Sequence, residues 1–265
     1  MTDTKANASN LKLSRRLTAL AEWVPDGARF ADIGTDHALL PVYLASSGRI
    51  RSAVAGDVHL GPVEAARRQV ASAGLQDTIS VRNGDGLSVL QPGEVDTVCI
   101  AGMGGSLMIR LLEDAGSLLD SVQTLVLSPH VAEDQVRNWL NRHDFVLAKE
   151  RILYEDGEYY TLLLAERAEK GKAPERIADL YRGTDLSPCC PRVPEELMLA
   201  MGPLLLRSPS EEFLGKWEQE LAKREKIIGQ LRKSSTREAA EKAKEWETLN
   251  ARIREVLACL PEEKR

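Results

Sequence analysis

The chain has no apolar run near the ~18 residues that span a bilayer, and its start lacks the charged, apolar, small-residue order of a secretory signal. No membrane partner and a cytoplasmic location are therefore expected. Its four cysteines, Cys99, Cys189, Cys190 and Cys259, include no C-x-x-C, and the adjacent pair is poorly suited to chelating one tetrahedral ion. Reduced, non-catalytic thiols and no metal are the resulting expectations. Positive charge is not in excess either. The net charge is −5, made of +2 over residues 1–29, +1 over residues 211–265 and −8 over the rest, so any phosphate contacts would be local.

A missing motif is equally informative. From Phe30 to Leu40 an apolar strand runs into Asp32, a single glycine at Gly34 and a polar turn that opens a helix. That pattern holds a nucleotide-type cofactor at a strand's carboxyl end. It is not G-x-G-x-x-G, because Asp36 and His37 stand where further glycines are expected. A pyrophosphate would be repelled by Asp36, which disfavours an NAD-dependent dehydrogenase. The sulfonium cofactor S-adenosylmethionine carries no phosphate and gains from nearby carboxylates.

With 265 residues and 43% hydrophobic content, the chain can build a full core. Short apolar strands alternate with helical stretches from Ala28 to about Arg167, the signature of a doubly wound α/β sheet. The strands read as 29–33, 52–58, 78–82, 97–101, 124–128, 145–153 and 159–166. Only Tyr154–Glu158 separates the last two, and Asp156-Gly157 there is a strong hairpin signal. Five parallel strands closed by an antiparallel terminal hairpin make the Rossmann-like sheet of class I methyltransferases. A boundary is placed near 168, giving a methyltransferase domain over 1–168 and a C-terminal α-helical coiled-coil domain over 169–265 that begins with an irregular segment. Leu214, Trp217, Leu221, Ile228 and Leu231 form one 3,4-spaced run with Arg224 filling one slot, and Ala239, Trp246, Leu249, Ile253, Val256 and Leu260 another with Lys242 in one slot. The runs are out of register. The capping signal Ser234-Ser235-Thr236-Arg-Glu238 between them favours a helical hairpin over one long helix with a stutter.

The candidate cofactor residues lie at successive strand ends. Asp32, Gly34, Thr35, Asp36 and His37 follow the first strand; Asp57 and Val58 close the second; Asn83, Gly84, Asp85 and Gly86 follow the third. Asp57 suits the two ribose hydroxyls, and Asp85 can accept the adenine amino proton. The fourth strand ends in Ala101-Gly102-Met103-Gly104-Gly105, whose glycines allow a flat base or the cofactor's methionine part to approach closely. On the substrate side, Lys12, Arg15 and Arg16 are placed on a short helix from Leu11 to Trp23, able to meet phosphates. His130, after Ser128-Pro129, points into the same crevice. Each of these residues also has an ordinary reading as a turn cap, core packing or a solvated face.

Taken together, the chain resembles the bacterial tRNA (adenine(22)-N1)-methyltransferases. The resemblance rests on Leu13-Ser-Arg-Arg-Leu17, Ala31-Asp-Ile-Gly-Thr-Asp-His-Ala38, Ile79-Ser-Val-Arg-Asn-Gly-Asp-Gly-Leu87, Ile100-Ala-Gly-Met-Gly-Gly105 and Glu155-Asp-Gly-Glu-Tyr-Tyr160. It implies methyl transfer from S-adenosylmethionine to N1 of an adenine in tRNA, with the helical tail helping to hold the tRNA. Ser128-Pro-His130 stands where relatives carry Gln-Pro-Asn, so an asparagine contact to the base is not implied. Under this resemblance Asp36 is the candidate to stabilise charge on the product ring. The competing readings are a methyltransferase for a small-molecule or protein acceptor and a non-catalytic RNA-binding adaptor. Monomer and coiled-coil dimer both remain open.

Overall fold

A computed structural model describes residues 11–182, 192–234 and 236–260. The chain divides into two compact units, Met1–Ile177 and Ala178–Arg265. The first unit opens on helix α1 (Arg15–Trp23) and continues through β1 (Ala28–Ile33), α2 (Leu39–Ser46), β2 (Ile50–Asp57), α3 (Leu60–Ser72) and β3 (Ile79–Asn83). It then runs through β4 (Thr97–Met103), α4 (Gly105–Asp114), β5 (Thr124–Pro129), α5 (Glu133–Arg142), β6 (Phe145–Glu155) and β7 (Glu158–Arg167). Helix α6 (Ala173–Tyr181) spans the division between the units.

All seven strands lie in one sheet of order β3-β2-β1-β4-β5-β7-β6. The first five are parallel, and β7 runs antiparallel to both β5 and β6. The β6–β7 turn places Asp156 at φ 52° and Gly157 at φ 87°, the two left-handed residues that a two-residue hairpin loop requires. One face of the sheet (Phe30, Ala53, Ala55, Cys99, Val126, Leu162 and Leu164) packs with residues of α1, α2 and α3. The alternating residues Ala31, Ile33, Val98, Ile100, Leu125 and Leu127 are buried on the other face. This two-sided burial is what a parallel sheet demands, and it leaves the carboxyl strand ends as the open rim.

Helix α1 starts later than expected. Leu13 is buried in the core, and the Ser14 hydroxyl accepts the Leu17 amide at 3.1 Å. The helix therefore begins at Arg15, and Lys12 lies in the extended segment before it.

The second unit is helical. It holds α7 (Glu195–Met201), α8 (Pro203–Arg207), α9 (Glu211–Leu231) and α10 (Arg237–Ala258). Arg232, just past the end of α9, pairs with Glu247 in the middle of α10, and Glu225, seven residues back, pairs with Arg254, seven residues on, so the two helices run in opposite directions. The tail is thus two antiparallel helices rather than one. The α10 cap is Thr236, whose hydroxyl accepts the Ala239 amide. With alanine at that third helical position, the reciprocal glutamate of a capping box is absent. The expectation of four reduced thiols needs correction at Cys259, which is disulfide-bonded. Cys189 and Cys190 lie outside the described residues.

Candidate active site

The cofactor loop is shaped by its backbone. The amides of Gly34 and Thr35 both donate to the Gly56 carbonyl, at 2.9 and 3.0 Å, which ties the turn after β1 to the end of β2. Gly34 sits at φ 73°, and a Cβ there would come within 2.9 Å of the Met103 methyl, so the β1 and β4 loops meet at a point only glycine fills easily. Asp36 and Ala38 are also left-handed, at φ 40° and 53°.

Asp32 is buried and accepts the Thr35 hydroxyl at 2.6 Å. Its Cα is in register with that of Cys99 on β4. Burial pushes the Asp32 carboxyl up to about 6 from an ordinary 3.8; hydrogen bonds from Thr35 and Cys99 oppose the shift, and the charges of Asp57 and Asp36 add to it. The Cys99 thiol is pushed well above its usual value, chiefly by burial, which keeps it protonated and unreactive. Asp57, at the end of β2, is largely buried, and its Oδ1 accepts the His59 amide at 2.9 Å. Among the described residues, its contacts run through Oδ1, which also lies 3.4 Å from His59 Nδ1. The Asn83 side-chain amide donates to the Asp57 and Val58 carbonyls, both at 3.0 Å, so Asn83 staples β2 to β3. Asp85 is exposed, and Val58, directly after Asp57, presents an exposed apolar side chain.

Several expected site residues also have a local structural part. A Cβ on Gly84 would stand 2.7 Å from Val89 Cγ1, and one on Gly86 2.6 Å from Leu111 Cδ2, so both glycines serve close packing. Asp36 and His37 face solvent and pair weakly with each other, Oδ1 to Nε2, at 3.4 Å. Strand β4 runs past Ala101 into a bulge. Ala101 pairs with Ser128 and Met103 with Pro129, leaving Gly102 out of register at φ 81°. Gly104 then caps α4.

Arg16 differs most from its expected role as a surface cation. Its Nη1 is buried and has no hydrogen-bond partner, whereas Arg15 is exposed and donates to the Tyr154 carbonyl at 3.2 Å. The Arg16 Cζ lies 4.7 Å from the centre of the Tyr160 ring, and His130 is 5.6 Å from the same ring, centroid to centroid. Two residues without an assigned role fix this corner. The Glu155 carboxylate accepts the amides of Arg15 (2.5 Å) and Arg16 (3.2 Å), and so anchors the positive end of α1. Tyr160 supplies the platform beneath the guanidinium. An acid just before a hairpin turn is visible in the sequence, but its target about 140 residues earlier is not. Replacing Glu155 by alanine is expected to cost about 1–2 kcal/mol, read as a lower melting temperature, because two helix-start amides lose a charged acceptor.

A parallel Rossmann-like sheet closed by an antiparallel pair, with acids at consecutive strand ends and no dinucleotide fingerprint, defines an S-adenosylmethionine-dependent methyltransferase. Residues 30–257 match the family model described as tRNA (adenine(22)-N(1))-methyltransferase, TrmK. The chain is 38% identical over 250 residues to the Bacillus subtilis (strain 168) tRNA (adenine(22)-N(1))-methyltransferase, covering 94% of this chain and 98% of that one. The crystal structure of the B. subtilis m1A22 tRNA methyltransferase superposes with a TM-score of 0.80 at 36% identity, covering 93% of this chain and 99% of that one. A Streptococcus pneumoniae structure in complex with S-adenosyl-L-methionine gives 0.74 at 32% identity, covering 94% and 100%. The chain belongs to the tRNA (adenine(22)-N1)-methyltransferase family, and its cofactor is S-adenosylmethionine.

Among the described residues, no helix is long and apolar enough to cross a membrane, and no group of three or more His, Cys, Asp or Glu is placed to hold a metal ion.

Proposed function

We propose that the domain over 1–168 methylates N1 of the adenine at position 22 of cytoplasmic tRNA, and that the domain over 169–265 uses its paired helices as a coiled coil to hold that tRNA. The observation that carries the reading is the row Asp85, Asp57, Asp32 at or just past the ends of β3, β2 and β1, three neighbours in the sheet. Asp85 takes the adenine amino group, Asp57 Oδ2 the ribose hydroxyls, and Asp32 the positive charge of the amino-acid end. Gly34, Thr35, Asp36, His37 and Val58 wall the crevice, and the Ala101–Gly104 segment lies between cofactor and acceptor. Asn83, Gly84 and Gly86 support it from behind.

When bound, S-adenosylmethionine supplies a sulfonium methyl to the neutral adenine N1, whose own lone pair removes the need for a general base. The protein's part is to position the acceptor and exclude water. N1 lies on the pairing edge, so the target base must leave its stack to reach the Gly102 bulge. His130 contacts the extruded nucleotide, and the exposed Lys12 and Arg15 meet phosphates at the rim. Asp36 offsets charge on the product ring across solvent, which limits its effect. A transcript with guanine in place of adenine at position 22 is expected to accept no methyl group; methylation of both transcripts alike would refute the assignment.

The Asp32 carboxyl makes cofactor binding pH-dependent. In the free protein its pKa of about 6 stands above the ordinary 3.8, so folding favours the protonated acid, and stability falls as pH rises through that window. The cationic cofactor favours the ionised form. Affinity is therefore expected to weaken about tenfold from pH 7 to pH 5, with a proton released on binding near pH 6. Calorimetry at several pH values reads both effects, and Asp32→Asn should flatten the profile.

A further inference from the structure

We propose that Val131 is a wedge that fills the place of the target adenine in the tRNA stack once that base is extruded. The inference rests on the tRNA reading above. Among the described residues of the first unit, the large apolar side chains left exposed are Val58, Leu60, Leu107, Val131 and Tyr154. Each lies at or just past the carboxyl end of a strand, or in the first turn of the helix that follows. Tyr154 shares the rim because β6 runs parallel to β5, both being antiparallel to β7. Val58 and Leu60 follow β2, on the cofactor side. Leu107, Val131 and Tyr154 follow or end β4, β5 and β6, on the acceptor side. Tyr154 is engaged with Tyr159, ring centroids 4.7 Å apart, and Val131 projects furthest of the three, at 62% exposure. It stands against the acceptor segment. Its Cγ2 is 3.6 Å from where a Gly104 Cβ would be, and Nε2 of the preceding His130 is 4.0 Å from where a Gly102 Cβ would be.

The loop that carries Val131 is fixed. The His130 amide donates to the Met103 carbonyl at 3.0 Å, and the Gly105 amide to the Val131 carbonyl at 2.9 Å. A Cβ on Gly105 would come within 2.7 Å of that carbonyl oxygen, and Ala132 turns the chain in a left-handed conformation at φ 59°. The Ser106 hydroxyl meets Gln135 Oε1 at 3.1 Å, which ties the first turn of α4 to that of α5. Such a left-handed alanine is strained and persists where its surroundings hold it. The fold therefore fixes a valine in water, where its apolar surface adds little to stability. A gap between bases is what that side chain suits. The adenine must leave its stack, and the faces it uncovers are flat and apolar. A branched Cβ is stiff at χ1, so little freedom is lost when the side chain enters the gap. Occupying the gap keeps the adenine from falling back while N1 waits at the Gly102 bulge.

The test compares methylation of a native tRNA transcript with that of one carrying a mismatched base opposite adenine 22, which lowers the cost of extrusion. Val131→Ser is expected to reduce kcat/KM about tenfold on the native transcript and no more than about twofold on the mismatched one, while Val131→Leu stays near wild type on both. With 2-aminopurine at position 22 and S-adenosylhomocysteine added, saturating wild-type protein should brighten the probe as it leaves the stack, and Val131→Ser should brighten it several-fold less. Equal losses on both transcripts with undiminished brightening would overturn the proposal in favour of a contact to the acceptor or a structural role. Full activity of Val131→Ser on the native transcript would overturn it as well. A change in its oligomeric state, read by light scattering, would assign the side chain to a contact between copies of this chain instead. Wild-type protein that methylates neither transcript would sink the tRNA reading itself, and the proposal with it.

Discussion

Asp57→Ala is expected to weaken S-adenosylmethionine binding by about a hundredfold or more while costing the free protein only about 1 kcal/mol, a small drop in melting temperature, for the acceptor lost by the His59 amide. The carboxylate is held at the end of β2 with Oδ1 on the His59 amide and Oδ2 left to face the ribose. Two hydroxyl donors to one carboxylate are charge-assisted bonds of roughly 1.5–3 kcal/mol each, and about 1.4 kcal/mol is tenfold in affinity. The structural cost is small because the Asn83 staple runs to the Asp57 and Val58 carbonyls, not to the side chain. Asp57→Asn should fall between the two, since the amide keeps the shape and one acceptor. Titration calorimetry and thermal melts on the same preparations separate the affinity loss from the fold. A drop in melting temperature with affinity retained would mean that Asp57 is a structural cap.

Glu150→Gln is expected to do the reverse. Arg137 on α5 and Glu150 on β6 form an ion pair at 2.7 Å whose side chains are 1% and 0% exposed. Removing one charge leaves the other buried, which costs about 3–5 kcal/mol. In a unit of this size that lowers the melting temperature by roughly 10 °C. Cofactor affinity well below the transition should hold, because the pair lies away from the β1–β4 rim. Pairing Glu150→Leu with Arg137→Met should restore most of the loss, as apolar replacements of buried ion pairs often do. A double variant no better than the single ones would show that the pair's value lies in a wider hydrogen-bond network.

Every strand was legible to within two residues, because apolar runs between glycine-rich turns and helical stretches have few other solutions. The Asp156-Gly157 turn announced the antiparallel pair, since two left-handed positions in a row leave little alternative. Local chemistry also located the acids, as strand-end carboxylates next to glycine turns. What stayed hidden was non-local. Lys12-Leu13-Ser14-Arg15-Arg16 reads as a solvated basic helix start; only the tertiary fold buries Leu13, turns Arg16 inward over Tyr160 and hands its amide to Glu155. Gly84 and Gly86 read as cofactor-loop glycines, and the packing of Val89 and Leu111 that leaves them no room for a side chain is not visible in the sequence.

The most direct measurement incubates unmodified bacterial tRNA with methyl-labelled S-adenosylmethionine and the intact chain, then identifies the labelled nucleoside by mass spectrometry and maps its position. Expected is 1-methyladenosine at position 22 with the wild-type chain and none with Asp57→Ala. Label in another nucleoside or at another position, or no label from protein that binds the cofactor, would contradict the assigned reaction.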